Sequence, residues 1–134
     1  MHDADARALA EKLVRFLETN EAPTQLFAAD VFLDLTLPRW RVQAVGVARM
    51  IEIRREGGHS RGRVSRWRCD PTAGGFVLEF EERWQHGGRD WYAREMVRAE
   101  IEGGAIVALS AYCTGDWDAA REAEHAREVR LVRP

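Results

Sequence analysis

The chain has 134 residues, a length typical of one domain with its own hydrophobic core, and we treat residues 1–134 as a single domain. Its formal net charge of −2 gives no electrostatic reason to expect binding to nucleic acid or an anionic membrane, and no apolar run approaches the roughly 20 residues of a membrane-spanning helix. Because Cys69 and Cys113 are too few and too far apart to indicate a disulfide framework or a zinc site, we expect a cytoplasmic protein with free thiols.

Three segments in the first half of the chain have helical patterns. Apolar residues recur at helical spacing over residues 4–19, and Thr24 is a favourable N-cap for a short second helix over residues 24–29. A third helix is expected over residues 46–56, with Arg54 a candidate for its inward side, and two glycines end it.

Strands account for most of the remaining chain. The alternation over residues 30–38 predicts a strand whose three leucines share one face while Asp34 lies on the other. Four long strands joined by tight turns follow residue 58, and residues 118–134 form a C-terminal helix and tail. The predicted order is α-α-β-α-β-β-β-β, and helices segregated from antiparallel strands indicate an α+β fold.

The clearest pattern in the chain lies at residues 76–101. Two alternating runs flank a Gly-Gly dipeptide, which predicts a tight β-hairpin in which Phe80 faces Glu95. The face that holds both side chains is apolar except for two carboxylates on neighbouring strands, Glu82 and Glu95. Because carboxylates are seldom buried without a partner or a function, this pair is the first candidate for a functional site.

The strands on either side extend the same face. A turn at the next Gly-Gly dipeptide places Ser110 and Tyr112 on the inner face, with Tyr112 opposite Glu95. Pairing of the preceding strand with the hairpin places Arg63 opposite Glu82. A one-residue bulge in any of these strands would reverse the facing of part of this set.

Three motifs resemble the nuclear transport factor 2-like superfamily, which includes ketosteroid isomerases and SnoaL-like polyketide cyclases. They are L-F-A-A-D-V-F-L-D-L-T-L-P, G-V-A-R-M-I-E-I-R-R and G-G-A-I-V-A-L-S-A-Y-C-T-G-D-W-D. The resemblance covers the chain to about Asp118 and implies a strongly bent antiparallel sheet wrapped around three helices, with a cone-shaped apolar pocket. It also implies a homodimer formed through the outer sheet face. It transfers no activity, because this fold hosts many chemistries as well as binding proteins.

The carboxyl groups on the inner face are candidates for acid–base catalysis. Burial raises the pKa of a carboxyl group, and a second carboxylate nearby raises it further. Glu95 is the better candidate for the raised pKa, because Arg63 would oppose the rise at Glu82. Tyr112 could donate a hydrogen bond to a developing oxyanion.

The resemblance adds Asp34 as a third catalytic candidate, because similar proteins often place a catalytic His or Asp on this strand. If Leu35 takes that position instead, the resemblance supplies no base there. The side chains expected to bind substrate are Trp40, Arg63, Trp67, Phe80, Trp84, Trp91 and Ser110.

Structural explanations compete with these roles. Glu82 and Arg63 would form a register-fixing ion pair, Glu95 and Tyr112 a hydrogen bond, and the tryptophans would belong to the core or a dimer interface. No histidine pair has metal-ligand spacing and no glycine-rich phosphate loop is found, so no metal or cofactor is expected. The histidines at positions 59, 86 and 125 are expected to be solvated.

Two classes of function therefore stay open. The first is a cofactor-independent acid–base enzyme of the isomerase, cyclase, dehydratase or epoxide hydrolase type, acting on a small apolar substrate such as a polyketide or terpenoid. The second is a non-catalytic protein that binds a hydrophobic ligand or a protein partner. Carboxyl groups with shifted pKa values on an apolar face favour the enzyme.

Overall fold

The helices of the chain pack on one seven-stranded mixed sheet, and the computed structural model describes residues 3–134. The α+β fold class is confirmed, and the sheet is curved and unclosed. In chain order the elements are α1 (Asp3–Thr19), β1 (Phe27–Thr36), β2 (Arg41–Val45), α2 (Val47–Glu56), β3 (Gly62–Thr72), β4 (Gly75–His86), β5 (Arg89–Glu102), β6 (Ala105–Cys113), β7 (Trp117–Asp118) and α3 (Ala119–Glu128).

The order of strands in the sheet is β2-β1-β6-β5-β4-β3, and the short β7 pairs with β5. The expectation of a wholly antiparallel sheet was wrong in one place, because β1 runs parallel to β6. Register shifts interrupt the β1–β6, β3–β4 and β5–β6 pairings. Such irregularities increase local twist and bend a sheet, which gives this one its concave face.

The N-terminal region differs from the prediction in two elements. The short second helix over residues 24–29 does not form, because Gln25 takes a left-handed conformation (φ 64°) and β1 begins at Phe27. The segment after Pro38, expected to be a loop, contains β2. Only two helices thus precede residue 58 in the described part of the chain, and the third is the C-terminal α3.

Helices α1 and α2 cover the concave face of the sheet. Helix α1 packs against β3 and β4 through its apolar side, which includes the buried Leu13 and Phe16. Helix α2 packs against β1 and β2 and contributes the buried Met50. Their side chains and those of the concave sheet face form one core that surrounds the site described below. No helix in the described range is long and apolar enough to cross a membrane.

The pairing predicted for the central hairpin is confirmed. Phe80 pairs with Glu95 and Glu82 with Ala93, around the turn at Gly87 and Gly88. Both glycines have positive φ, 61° and 72°, as a tight two-residue turn of this hand requires. The carboxylates of Glu82 and Glu95 therefore both point to the concave side.

Candidate functional site

An apolar cavity of about 170 Å³ lies between helices α1 and α2 and the concave face of the sheet. It is slightly larger than an engineered cavity of about 150 Å³ that binds benzene, so its enclosed part has room for one ring. Leucines from α1, from β1 and the residue that follows it, and from β6 form much of its wall, together with Phe16 and Phe80. Its polar and thiol-bearing lining residues are Arg54, His59, Glu95, Cys113 and Asp116.

Glu95 on β5 and Glu82 on β4 form a buried carboxyl pair beside this cavity. Glu82 is 4% exposed. Glu95 is half-buried as a whole residue, but its Oε2 atom is fully buried. If both side chains were ionised, neither Oε2 atom would have a hydrogen-bond donor among the described residues. A proton on one carboxyl group removes this deficit, because that group then donates to the other.

The surroundings of the pair decide which group holds the proton. Burial acts to raise the pKa of Glu82, but the charge of Arg54, the hydrogen bond from Glu95 and the charge of His59 outweigh it, so the pKa of Glu82 lies below its ordinary value. Burial raises the pKa of Glu95 well above its ordinary value, and the negative charge of Glu82 adds to the rise. Glu82 is therefore the ionised partner, and Glu95 is the neutral acid that donates to it.

The cation that partners Glu82 is Arg54 of α2. Its Nη2 atom donates to Glu82 Oε1 at 3.0 Å and to the Leu17 carbonyl oxygen at 2.8 Å, and its Nε atom donates to Asn20 Oδ1 at 2.6 Å. The helical pattern had made Arg54 a candidate for the inward side. The predicted partner, Arg63, is exposed and pairs with Arg83. The β3–β4 register lies two residues from the predicted one, with Cys69 opposite Leu78, and the bulge between Val64 and Arg66 then turns Arg63 to the other face.

The charged side chains beside Glu82 and Glu95 form what we call the polar end of the cavity. His59 lies at its centre, and the expectation that His59 is solvated was wrong. Its side chain is 15% exposed, with Nδ1 3.7 Å from Glu82 Oε2 and Nε2 3.6 Å from Asp116 Oδ1. The imidazole stacks on the indole of Trp84, with ring centroids 3.9 Å apart and planes inclined by 27°. Both ring nitrogens thus face carboxylates at slightly more than hydrogen-bond length.

Two predicted site residues on β6 point away from the cavity. Ile101 pairs with Ile106, but the next residue of β5, Glu100, pairs with Ala108, so β6 contains one extra residue at this point. Every later side chain of β6 therefore points to the face opposite to the predicted one. Ser110 and Tyr112 therefore lie on the outer face, and the side chain of Tyr112 is exposed.

Cys113 takes the place opposite Glu95 that was expected for Tyr112. Burial raises the pKa of Cys113 to about 12, and the negative charge of Glu95, when it is ionised, acts in the same direction. The thiol therefore stays protonated near neutral pH and is not a nucleophile.

Asp34 also lies outside the cavity, on the outer face of β1. It forms an ion pair with Arg41, with Nη2 2.6 Å from Oδ2, and hydrogen bonding to Arg41 lowers its pKa. Leu35 lines the cavity in its place, so the alternative alignment holds and β1 supplies no base.

The predicted substrate-binding tryptophans do not line the cavity either. Trp40 is 72% exposed, and Trp67 is half-buried opposite Phe80, with the guanidinium of Arg7 over its ring. Trp84 lies behind His59, and the indole nitrogen of Trp91 donates to a carbonyl oxygen near the β4–β5 turn. Of the predicted site residues, Glu95 and Phe80 line the cavity.

Three residues of the polar end were missed by the sequence reasoning: Asn20, His59 and Asp116. They lie in segments that connect helices and strands, where side chains follow no periodic pattern. An asparagine directly after a helix is the one local signal, because asparagine tolerates the left-handed conformation that often ends helices. Within the described range, no group of three or more His, Cys, Asp or Glu side chains could hold a metal ion.

The sequence matches no protein-family model and no curated protein. Solved structures do match. An NTF2-like protein from Anabaena variabilis is 19% identical, with 84% of this chain and 92% of that chain covered and a TM-score of 0.67. A proposed polyketide cyclase from Xanthomonas campestris is 14% identical over 81% and 90% of the two chains, with a TM-score of 0.65. A proposed ketosteroid isomerase from Kribbella flavida is 22% identical over 98% and 92%, with a TM-score of 0.60. At these identities the likeness is one of fold.

Proposed function

Since the chain has the nuclear transport factor 2-like fold, we propose that it is a cofactor-independent acid–base enzyme acting on a small apolar substrate that carries an oxygen atom. One observation carries the proposal: Glu95, a carboxyl group of raised pKa with a buried oxygen, lines a largely apolar cavity beside an ionised carboxylate. The polyketide cyclase and ketosteroid isomerase names of similar structures are compatible with such chemistry.

Glu95 is the acid of the proposed reaction. A carboxyl group kept neutral by apolar surroundings can donate a hydrogen bond or a proton to a substrate oxygen, as one Asp does in ketosteroid isomerase. In this cavity the oxygen of a carbonyl or hydroxyl group would accept from Glu95 while negative charge develops on it. Glu82 and Arg54 keep their charges close by in a region from which water is largely excluded.

His59 is the base of the proposed reaction. Its two ring nitrogens face Glu82 and Asp116 at 3.7 and 3.6 Å, so these carboxylates would stabilise the imidazolium that forms when the neutral ring accepts a proton. His59 would take a proton from a carbon next to the substrate carbonyl. Returning that proton to a different carbon gives an isomerisation, and loss of a hydroxyl group protonated by Glu95 gives a dehydration.

The size of the cavity limits the substrate. An enclosed space of about 170 Å³ accepts a single ring or a short branched chain, and larger substrates would extend through its opening. Of the polyketide and terpenoid substrates that the sequence suggests, a monocyclic terpenoid or a short polyketide unit fits this space best.

The proposal is tested first without a substrate. Carboxyl-carbon NMR of the glutamates should show Glu95 protonated and Glu82 ionised at pH 7. Glu95 ionised at pH 7 would contradict the proposal, because no neutral acid would then be present.

A second experiment tests catalysis with cyclohexanone as a one-ring probe. In heavy water the protein should speed the exchange of its α-hydrogens for deuterium, and Glu95→Gln should lower that rate about 10²–10⁴-fold with binding little changed. Glu79→Gln is the matched control, because Glu79 is exposed on the outer face of β4 and should leave the rate unchanged.

A non-catalytic binding protein is the second candidate function. The ion pair between Glu82 and Arg54 favours it, because these two groups satisfy each other without a substrate, as a purely structural pair would. Binding of cyclohexanone with no exchange above the buffer rate, in a protein whose Glu95 is ionised at pH 7, would support this alternative over the enzyme.

A further inference from the structure

Asn20 lies at the end of α1 in an unusual setting. Its φ of 59° is in the left-handed region, and its backbone N–H donates to the Phe16 carbonyl oxygen at 2.8 Å. The residue is 5% exposed, although helix-ending asparagines are usually solvated. The chain thus buries a polar side chain at this point.

The Asn20 side chain joins two other segments of the site. Its Nδ2 atom donates to the His59 carbonyl oxygen at 2.7 Å, and its Oδ1 atom accepts from Arg54 Nε at 2.6 Å. One amide therefore connects the end of α1 to α2 and to the loop that carries His59. Asn20 does not line the cavity, so it can act on the reaction only through Arg54 and His59.

We propose that Asn20 is a positioning residue that decides which of the two buried carboxyl groups, Glu82 or Glu95, carries the shared proton. The inference rests on the proposed role of Glu95 as the neutral acid. Its physical basis is that a proton shared by two carboxyl groups stays on the one with less positive charge nearby.

The titratable and charged groups around the pair are unevenly placed. Arg54 from α2 and His59 from the next loop both approach Glu82. Cys113 on β6 and Asp116 after it lie on the Glu95 side, and the charge of Asp116 opposes ionisation of Glu95. The two groups that favour ionisation of Glu82 are the same two that hydrogen-bond to Asn20.

Removing the amide would free the guanidinium of Arg54. Its two remaining hydrogen bonds, to Leu17 and Glu82, both come from Nη2, so the plane of the group would no longer be fixed from a second nitrogen. The His59 loop would lose its side-chain tie to α1 at the same time. Both changes lower the positive potential at Glu82 and so favour movement of the proton from Glu95 to Glu82.

The test is Asn20→Gly, because glycine keeps the left-handed conformation and removes only the side chain. Carboxyl-carbon NMR at pH 7 should show the proton equilibrium moved toward Glu82 by roughly tenfold, the effect of losing one hydrogen bond to a charged group. Gln25→Gly is the matched control, because Gln25 also has positive φ (64°) and is exposed, so its carboxyl signals should match those of the parent.

Asn20→Asp provides a second variant if the glycine variant does not fold. Aspartate tolerates the same backbone conformation and accepts from Arg54, but it has no amide donor for His59 and competes with Glu82 for the guanidinium. It should move the proton in the same direction. Parent-like carboxyl signals in a folded Asn20 variant would overturn the inference and leave the proposed function standing, whereas ionised Glu95 in the parent protein would contradict both.

Discussion

At the scale of single residues, the buried carboxyl pair marks the limit of what alternation can predict. The period-two pattern placed Glu82 and Glu95 on the concave side, because the hairpin that carries them has a tight turn and no bulge. It did not identify Arg54 as the cation, because that contact depends on how α2 packs across the sheet. Side-chain facing within one hairpin is local information, whereas the partners of a buried charge come from distant segments.

The raised pKa of Glu95 has a consequence for stability. The folded state holds this proton more tightly than the unfolded chain, so protonated Glu95 contributes to the free energy of unfolding. This contribution is fully present below the ordinary carboxyl pKa of 4.5 and is lost as pH rises through the pKa of Glu95 in the folded state. Glutamine does not ionise, so the Glu95→Gln variant should not lose this stability. Between pH 4.5 and the folded-state pKa of Glu95, its free energy of unfolding should rise relative to that of the parent by about 1.4 kcal/mol for each pH unit. Urea denaturation of both proteins between pH 4.5 and 8.5 measures the difference.

If the free energies of unfolding of the parent and of Glu95→Gln differ by the same amount at every pH in this range, a raised pKa for Glu95 is contradicted. Glu82 does not confuse the measurement, because its pKa is lowered. Its contribution is present above the ordinary value of 4.5 and is lost only as pH falls through its folded pKa.

Arg54 should be important for stability as well as for the site. The side chains of Arg54 and Glu82 are 16% and 5% exposed, so removing the cation leaves a buried carboxylate without its partner. Arg54→Met should lower the free energy of unfolding by about 3–5 kcal/mol at pH 7. The double variant with Glu82→Met should recover part of that loss in a double-mutant cycle, and additive losses would show that the two residues do not interact.

At the scale of elements, the five long strands were predicted, whereas the short β2 and β7 and the irregularities of the long strands were not. The bulges in β3 and β6 each insert one residue, and hydrophobic patterns in neighbouring segments do not show where. The one in β6 exchanged Tyr112 for Cys113 on the concave face. The missing second helix has a similar cause, because pairing of β1 with the distant β6 overrides a favourable N-cap at Thr24.

The turn between β3 and β4 offers a matched pair of glycines for a test. Gly75 belongs to β4 rather than to the turn, and a Cβ there would meet the Ala99 carbonyl oxygen at 2.0 Å. Gly75→Ala should therefore destabilise the protein by about 1–3 kcal/mol, as overpacking usually does. Gly74→Ala should change stability by less than about 0.5 kcal/mol, because nothing lies within 4 Å of its added Cβ.

Thermal or urea denaturation of the two variants distinguishes them. Equal stabilities would show that β4 does not approach β5 so closely at Gly75.

At the scale of the whole molecule, the outer face of the sheet carries apolar side chains that no helix covers. The exposed residues Phe32, Val45, Met96 and Tyr112 lie on neighbouring strands of that face. We propose that two copies of the chain pair through it as a two-fold dimer, because exposed apolar patches of this kind commonly form interfaces.

Light scattering should give about twice the chain mass of 15.3 kDa for the parent protein. The double variant Met96→Glu and Tyr112→Glu should give the single mass, because two charges would be buried in the interface. A single mass for the parent at high micromolar concentration would exclude the dimer.

The parallel pairing of β1 with β6 also has a consequence for how the chain is made. Strand β1 ends at Thr36 and its partner begins at Ala105, so the ribosome needs roughly 3 to 14 seconds to add the intervening residues. During that time β1 can pair only with β2, while the later hairpins close as soon as they emerge. The nascent N-terminal half therefore leaves one edge of β1 unpaired until β6 has been synthesised, and an unpaired edge is where another chain can add a strand.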